Sequence, residues 1–248
     1  MTLEQFFAEN REVAIAFSGG VDSAYLLYAA TRYAARVKAY YVNTAFQPEF
    51  ELADARRLAD ELGADMLVLH VDVLSNSAVT ANPSDRCYHC KNTLFRQILR
   101  AAENDGFPVL LDGTNASDDA GDRPGMRALR ELSVRSPLRE CGLTKAEIRR
   151  LSREAGLFTW DKPAYACLAT RIRTGEEITL QKLKQTEKAE GFLFGLGLRD
   201  FRVRMVGNTA KLELREADLP LLLENREKIV TELRKDYDSV LLNLEVRK

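Results

Sequence analysis

The run Ser18-Gly19-Gly20-Val21-Asp22-Ser23 sets a glycine pair between an apolar stretch ending at Phe17 and an Ala/Leu/Tyr-rich stretch beginning at Asp22. Glycines at a strand-to-helix turn leave backbone N–H groups unobstructed, and the positive end of the following helix adds to their pull on phosphate. Ser18 and Ser23 can add hydroxyl donors, and Asp22 can hold a magnesium ion or orient the loop. The Lys-Ser/Thr of a Walker A loop is missing, so transfer of a γ-phosphoryl group is not the expected reaction. Glycines at such a turn also serve geometry alone, which leaves the phosphate reading to its context.

Further polar clusters lie downstream. Asp112-Gly113-Thr114-Asn115, followed by Ser117, Asp118 and Asp119, would bring carboxylates toward a nucleotide and its metal, although the same residues suit a turn with an Asx cap. Cys87-Tyr-His-Cys90 lies between Arg86 and Lys91. A zinc site would want a second ligand pair at matching spacing, and only His70, Cys141 and Cys167 remain, so buried or redox-silent cysteines are preferred there. The neighbouring Arg86 and Lys91 are suited to phosphate.

Cys167 stands in Trp160-Asp-Lys-Pro-Ala-Tyr-Ala-Cys-Leu-Ala-Thr-Arg171. Pro163 keeps the preceding chain extended, and Lys162, Arg171 and Arg173 place positive charge near the thiol, which favours thiolate. That makes Cys167 a candidate nucleophile, against the ordinary role of a lone cysteine as a small buried hydrophobe. In Phe201-Arg202-Val203-Arg204-Met205 the alternation puts Arg202 and Arg204 on one strand face, a fork for an anion or a solvated basic face. Glu190 reads by itself as a surface carboxylate.

The elements that must carry these residues follow from periodicity. Apolar runs at 12–17, 37–42, 66–71 and 107–111 read as strands, and helical stretches at 22–36, 48–62 and 92–102 alternate with them. This is the pattern of an α/β doubly wound parallel sheet, whose ligand crevice lies beyond the carboxyl ends of the strands, where both glycine turns fall. Thr144-Lys-Ala-Glu147 has capping-box spacing and opens a helix that Gly156 stops. From about Glu176 the order changes to helix (179–194), a hairpin around Gly207-Asn208, helix (219–235) and a last strand (239–246). A first domain over 1–175 and a smaller α+β domain over 176–248 are expected.

A chain of 248 residues with 46% hydrophobic and 29% charged residues and net charge -1 is an ordinary globular protein. No bulk charge steers it to nucleic acid or membrane. The N-terminus carries early acidic residues and no long apolar run, which points to the cytoplasm. With four cysteines and no export signal, metal, catalysis or burial is favoured over disulfides.

SGGVDS at the end of the first strand resembles the PP-loop of the ATP pyrophosphatase superfamily, which adenylates a substrate and releases pyrophosphate. Taken with RCYHCK, DGTNASDDAGDRPGMRALRELSVRSPL, KPAYACLATRI and FRVR, the chain resembles the LarE family. Its members are ATP-dependent sacrificial sulfur transferases of nickel-pincer nucleotide biosynthesis. The resemblance implies an adenine nucleotide α-hydrolase-like fold. ATP would be bound by residues 18–23 and Thr114, and Mg2+ by Asp22 and Asp118. A substrate carboxylate of pyridinium-3,5-biscarboxylate mononucleotide would be adenylated, and Cys167 would supply the sulfur. Thr170, Arg171, Arg202 and Arg204 would surround the substrate's phosphate and carboxylates, and Glu190, which falls where the family has an acidic residue near the reacting cysteine, would be catalytic with it, in proton transfer. A homo-oligomer is implied as well. Relatives that deliver sulfide through an iron-sulfur centre carry a cluster of cysteines, whereas only Cys167 lies in this segment. The rival readings are another PP-loop adenylating enzyme, a tRNA thiolase or an amide-forming synthetase, and a non-catalytic nucleotide-binding protein.

Overall fold

A strand covered on both faces is apolar on both, and Val13, Ala14 and Ile15 are each fully buried. They belong to the second element of a series that begins α1 (Leu3–Glu9), β1 (Glu12–Ala16), α2 (Val21–Tyr33), β2 (Arg36–Asn43), α3 (Glu49–Leu62) and β3 (Asp65–His70). The chain continues through α4 (Ser77–Thr80), α5 (Arg86–Asn104), β4 (Leu110–Leu111), α6 (Pro124–Glu131), α7 (Pro137–Glu140) and α8 (Lys145–Glu154). It ends with α9 (Leu180–Gly195), β5 (Phe201–Val206), β6 (Thr209–Leu214), α10 (Leu219–Glu224), α11 (Arg226–Leu233) and β7 (Ser239–Leu242). The computed structural model describes residues 1–118 and 124–247. Asp119 lies outside the described residues.

The chain forms two units, one of Met1–Val73 with Asp85–Tyr165, the other of Leu74–Ser84 with Ala166–Lys248. The first holds a four-stranded sheet in the order β3-β2-β1-β4, every neighbouring pair parallel. Side chains alternate strictly across it. Val13, Ile15, Ala39 and Tyr41 join Phe6, Leu27, Leu58 and Ile148 in one apolar cluster, while Ala14 and Tyr40 join Ile98, Ala102 and Phe107 in another. Helices α1, α2, α3 and α8 therefore cover one face and α5 the other, the doubly wound arrangement expected. The order of strands reverses between β1 and β4, so the ligand crevice falls at their carboxyl ends. Ser18-Gly19-Gly20 and Asp112-Gly113-Thr114 occupy those ends.

Expectations about several elements change, the last strand among them, which runs over Ser239–Leu242 rather than 239–246. Helix α5 starts at Arg86 rather than near Asn92, so both cysteines of the CxxC ride on its first turns. The fourth strand keeps only Leu110–Leu111, because Pro108 has no N–H for a ladder. The expected single helix over 219–235 is two, parted at Asn225, whose side-chain amide donates to the Leu221 carbonyl at 3.0 Å.

The second unit is built on β5-β6-β7, with β5 and β6 antiparallel around Gly207-Asn208 and β7 parallel to β6. Its upstream segment is held by main-chain bonds. Gly175 N–H donates to the Asn82 carbonyl and Ile178 N–H to that of Thr80, each at 2.8 Å, while the Asn82 amide donates to the Arg173 carbonyl at 2.8 Å. No helix among the described residues is long and apolar enough to cross a membrane.

The loop after β4 comes close to the start of α2 at Gly113, where a Cβ would lie 2.9 Å from the main-chain nitrogen of Ser23 and 3.2 Å from its Cα. Gly113→Ala must push the loop after β4 off the start of α2. We expect it to cost about 1–3 kcal/mol, read as a lower urea midpoint at constant slope, together with weaker ATP binding.

Candidate active site

The loop between β1 and α2 is held by its own polar groups. Gly19 adopts a φ of +71°, and a Cβ there would meet Cβ of Ala55 on α3 at 3.2 Å, so the position needs glycine on both counts. Ser23 is buried; its hydroxyl donates to the Gly20 carbonyl at 3.2 Å, accepts the Ser18 N–H at 3.3 Å and lies 3.0 Å from the Ser18 hydroxyl. Ser23 thus fixes the loop, while Ser18 is exposed and available to a ligand. Val21 puts its side chain into the core and gives the site only its main chain.

Asp22 pairs with Lys145, Nζ to Oδ2, at 2.6 Å. Burial, outweighing Lys145, pushes the Asp22 carboxyl above its ordinary 3.8, and the charge of Asp118 adds to the rise. The other carboxylate oxygen, Oδ1, is buried without a hydrogen-bond partner among the described residues. A carboxylate kept ionisable in such a place, with one oxygen unmatched, suits a cation. Asp118, exposed beyond β4, is the nearby second acid, although its Oδ2 already accepts the Asn115 N–H at 2.8 Å. No group of three or more His, Cys, Asp and Glu suited to a metal occurs among the described residues.

Lys145 escaped the sequence reading, which saw only a helix start in Thr144-Lys-Ala-Glu147. The capping box is present, and a lysine in the first turn of α8 opposes the helix dipole. That unfavourable position was the available signal, and the carboxylate of Asp22 accounts for it. Ser136 was missed too. Its hydroxyl donates to Asp112 Oδ1 at 2.6 Å, while Thr114 donates its hydroxyl to Asp112 Oδ2 at 2.5 Å and its N–H to Oδ1 at 3.2 Å. Asp112 is therefore the staple of this loop, and Thr114, buried beside it, is locked in place.

In the second unit Cys167 stands immediately before a 3-10 turn, Leu168–Arg171. Its carbonyl accepts the Thr170 N–H at 2.9 Å, the Thr170 hydroxyl at 2.8 Å and Arg171 Nη1 at 3.4 Å. Arg171 also donates Nη1 to the Ala166 carbonyl at 2.8 Å, so one guanidinium holds the main chain on both sides of the cysteine's amide. Arg171 and Glu190 are fully buried, joined by Nε to Oε1 at 2.8 Å and Nη2 to Oε2 at 3.0 Å. Glu190 is thus a core carboxylate, not the surface group that its helical position suggested. Its Oε1 also accepts the Val203 N–H at 2.9 Å, joining α9 to β5.

The two strand arginines differ. Arg204 donates Nη1 to the Thr170 carbonyl at 2.6 Å and Nε to Glu213 at 2.7 Å. Arg202 is buried, and burial lowers its pKa from the ordinary arginine value, helped by the charges of Arg171 and Arg247, which together outweigh Glu190 and Asp200. A cation so placed would be stabilised by an added anion. Lys162, expected to favour the thiolate of Cys167, instead pairs with Asp54 in the first unit at 2.7 Å.

Residues 4–118 match the asparagine synthase family. A parallel sheet with a glycine phosphate loop at its switch point, so matched, defines a PP-loop enzyme that uses ATP. The chain is 40% identical to an uncharacterized protein of Synechocystis, over 86% of this chain and 80% of that one. It is 32% identical to the pyridinium-3,5-bisthiocarboxylic acid mononucleotide synthase of Lactiplantibacillus plantarum, over 94% of this chain and 85% of that one. An uncharacterized protein of Methanocaldococcus jannaschii is 31% identical over 96% of this chain and 91% of its own length. The protein belongs to the LarE family of ATP-dependent sulfur-transferring enzymes.

Two expected outcomes follow from this geometry. A folded-state pKa above the unfolded one adds stability below the ordinary value of 3.8 and loses it as pH rises through the raised one, so ionised Asp22 is a net cost at neutrality. Asp22→Asn should therefore unfold at an equal or higher urea concentration than the native chain near neutral pH, with the gain shrinking toward acid, while ATP-dependent turnover is lost. Glu190→Ala leaves Arg171 charged and buried, and is expected to cost about 3–5 kcal/mol in urea unfolding.

Proposed function

We propose that the protein transfers sulfur from Cys167 to a carboxylate of a pyridinium-3,5-biscarboxylate mononucleotide, at the expense of ATP. A carboxylate is a poor electrophile. With ATP held by residues 18–23 and Thr114, a substrate carboxylate oxygen attacks the α-phosphorus, the Pα–O–Pβ bond breaks, and pyrophosphate leaves with the electron pair. Asp22 and Asp118 would hold a magnesium ion, whose chemistry here is neutralisation of phosphate charge.

The mixed anhydride is a good electrophile. The Cys167 thiolate attacks its acyl carbon and AMP departs, giving a thioester. A base then removes the α-proton of Cys167, the Cβ–S bond breaks, and the electron pair leaves on sulfur as thiocarboxylate, with dehydroalanine in the chain. Arg202, Arg204 and Thr170 are assigned to the substrate's phosphate and carboxylates, Arg202 because the positive charges of Arg171 and Arg247 beside it would be offset by an added anion. Arg171 and Glu190 are assigned to holding the turn that carries Cys167.

The observation that carries this reading is the anchoring of Cys167 itself, whose carbonyl takes three hydrogen bonds from Thr170 and Arg171. Cys141 is a poorer nucleophile, since burial pushes its thiol above the ordinary 9.0. The Lactiplantibacillus protein's name specifies two thiocarboxylates. On a route that yields one sulfur per chain, two chains would be used for each such product. The homo-oligomer implied by the family would draw on exposed apolar side chains of the second unit such as Leu223, Leu241 and Leu244.

Intact-protein mass spectrometry after incubation with ATP, magnesium and the dinicotinate nucleotide tests the proposal. The expected result is a loss of about 34 Da, hydrogen sulfide, located at Cys167, as elimination from a cysteine nucleophile requires. Cys167→Ser should bind ATP and make no thiocarboxylate. Thiocarboxylate formed without any change in mass would overturn the sacrificial route.

A further inference from the structure

The segment that leads to Cys167 is irregular, yet it is held from two sides. Phe158–Asp161 is a single 3-10 turn, after which Lys162-Pro163-Ala164-Tyr165 runs without regular structure. Arg149 on α8 donates Nη1 to the Trp160 carbonyl at 2.7 Å and Nη2 to the Lys162 carbonyl at 2.8 Å. From the other side Lys162, whose side chain is only 15% exposed, donates Nζ to Asp54 Oδ2 on α3 at 2.7 Å. Ring contacts repeat the pattern. Phe50 of α3 meets Tyr165 edge-on with centroids 5.3 Å apart, and the Arg153 guanidinium of α8 lies over Trp160.

Both helices also bear on the phosphate loop. A Cβ at Gly19 would meet that of Ala55 on α3 at 3.2 Å, and Lys145 on α8 pairs with Asp22 at 2.6 Å. On α3 the residue that touches the loop, Ala55, adjoins the one that grips the segment, Asp54. On α8, Lys145 and Arg149 are one helical turn apart and share a face. A guanidinium fork on two carbonyls fixes backbone register rather than a side chain, and Pro163 removes a torsion from the chain that follows. Tyr165 lies two residues before Cys167, so by covalent geometry alone their Cα atoms are at most about 7 Å apart.

We propose that Arg149 and Lys162 are positioning residues for sulfur transfer. Clamped between α3 and α8, residues 158–165 hold the backbone that leads to Cys167 in register with the loop on which the acyl-adenylate forms. The inference rests on Cys167 being the sulfur donor. Attack by a thiolate on a mixed anhydride gains from holding both partners, and a misplacement of about 1 Å can cost about a hundredfold in rate. A contribution to stability alone would lower every activity of the chain together. A positioning role is confined to the step in which Cys167 attacks.

The full-length chain is compared with Lys162→Met, which breaks the pair with Asp54, and with Arg149→Lys, which keeps the charge and loses the fork. Exchange of labelled pyrophosphate into ATP, with the dinicotinate nucleotide present, reads adenylation. The rate at which Cys167 loses about 34 Da in a single turnover reads sulfur transfer. In both variants the exchange rate and its KM for ATP are expected to change by less than about twofold, while mass loss slows about tenfold to a hundredfold. Lys162→Arg, which can still pair with Asp54, should recover most of that rate. Amide deuterium exchange over 158–165, which needs no substrate, should quicken severalfold in Lys162→Met and Arg149→Lys. Mass loss as fast as in the native chain, or adenylation lowered in equal proportion, would overturn this inference alone. A native chain that exchanges pyrophosphate and never loses mass overturns Cys167 as the donor, and this inference with it.

Discussion

The first unit depends on how closely two main-chain segments can meet where the sheet reverses direction. β1 and β4 lie side by side, each ending in a turn that contains glycine, and at Gly113 the second turn touches the backbone from which α2 begins. Nothing larger than hydrogen fits there. That contact fixes the spacing between a set of backbone donors on one strand end and, on the other, the buried Asp112 and Thr114 with half-buried Ser136. Ser23 and Asp112 brace these two turns from within through their side-chain hydrogen bonds.

The second unit solves a different problem, the placement of one reactive side chain on irregular backbone. A 3-10 turn of four residues has little stability of its own, and here a buried guanidinium supplies what the turn lacks. Burying Arg171 would be prohibitive alone; Glu190 supplies the matching charge, and its remaining capacity is taken by the Val203 N–H. The result joins a helix, a strand and the cysteine turn through two side chains. Near them Arg202 is buried beside two further arginines, Arg171 and Arg247, and two carboxylates, Glu190 and Asp200.

Much of this was legible in the sequence because it follows from local rules. The glycine pair between an apolar run and a helix, the alternation of strands and helices, the capping box at Thr144 and the hairpin at Gly207-Asn208 depend on near neighbours alone. What escaped depends on distant ones. Glu190 reads as a surface residue on a polar helix until Arg171 is known to lie against it. Lys145 has no reason to sit in the first turn of α8 until Asp22 is known to face it. The segment 74–84 is polar enough to pass for a loop, and only its bonds to Arg173, Gly175 and Ile178 show which unit it belongs to. Helix α5 began earlier than its apolar periodicity, because Arg-Cys-Tyr-His-Cys-Lys satisfies helical geometry without announcing a buried face.

The carbonyl oxygen of Cys167, which accepts hydrogen bonds from Thr170 and Arg171, stays in the chain when sulfur leaves. On the proposed chemistry, a chain that has given up its sulfur keeps those bonds, and with them Arg171, Glu190 and the untouched phosphate loop. Spent copies would then persist as well-folded proteins that still bind ATP. A cell making this protein would have to retire them by some cue other than unfolding, or carry a growing population of inert competitors for the same nucleotide.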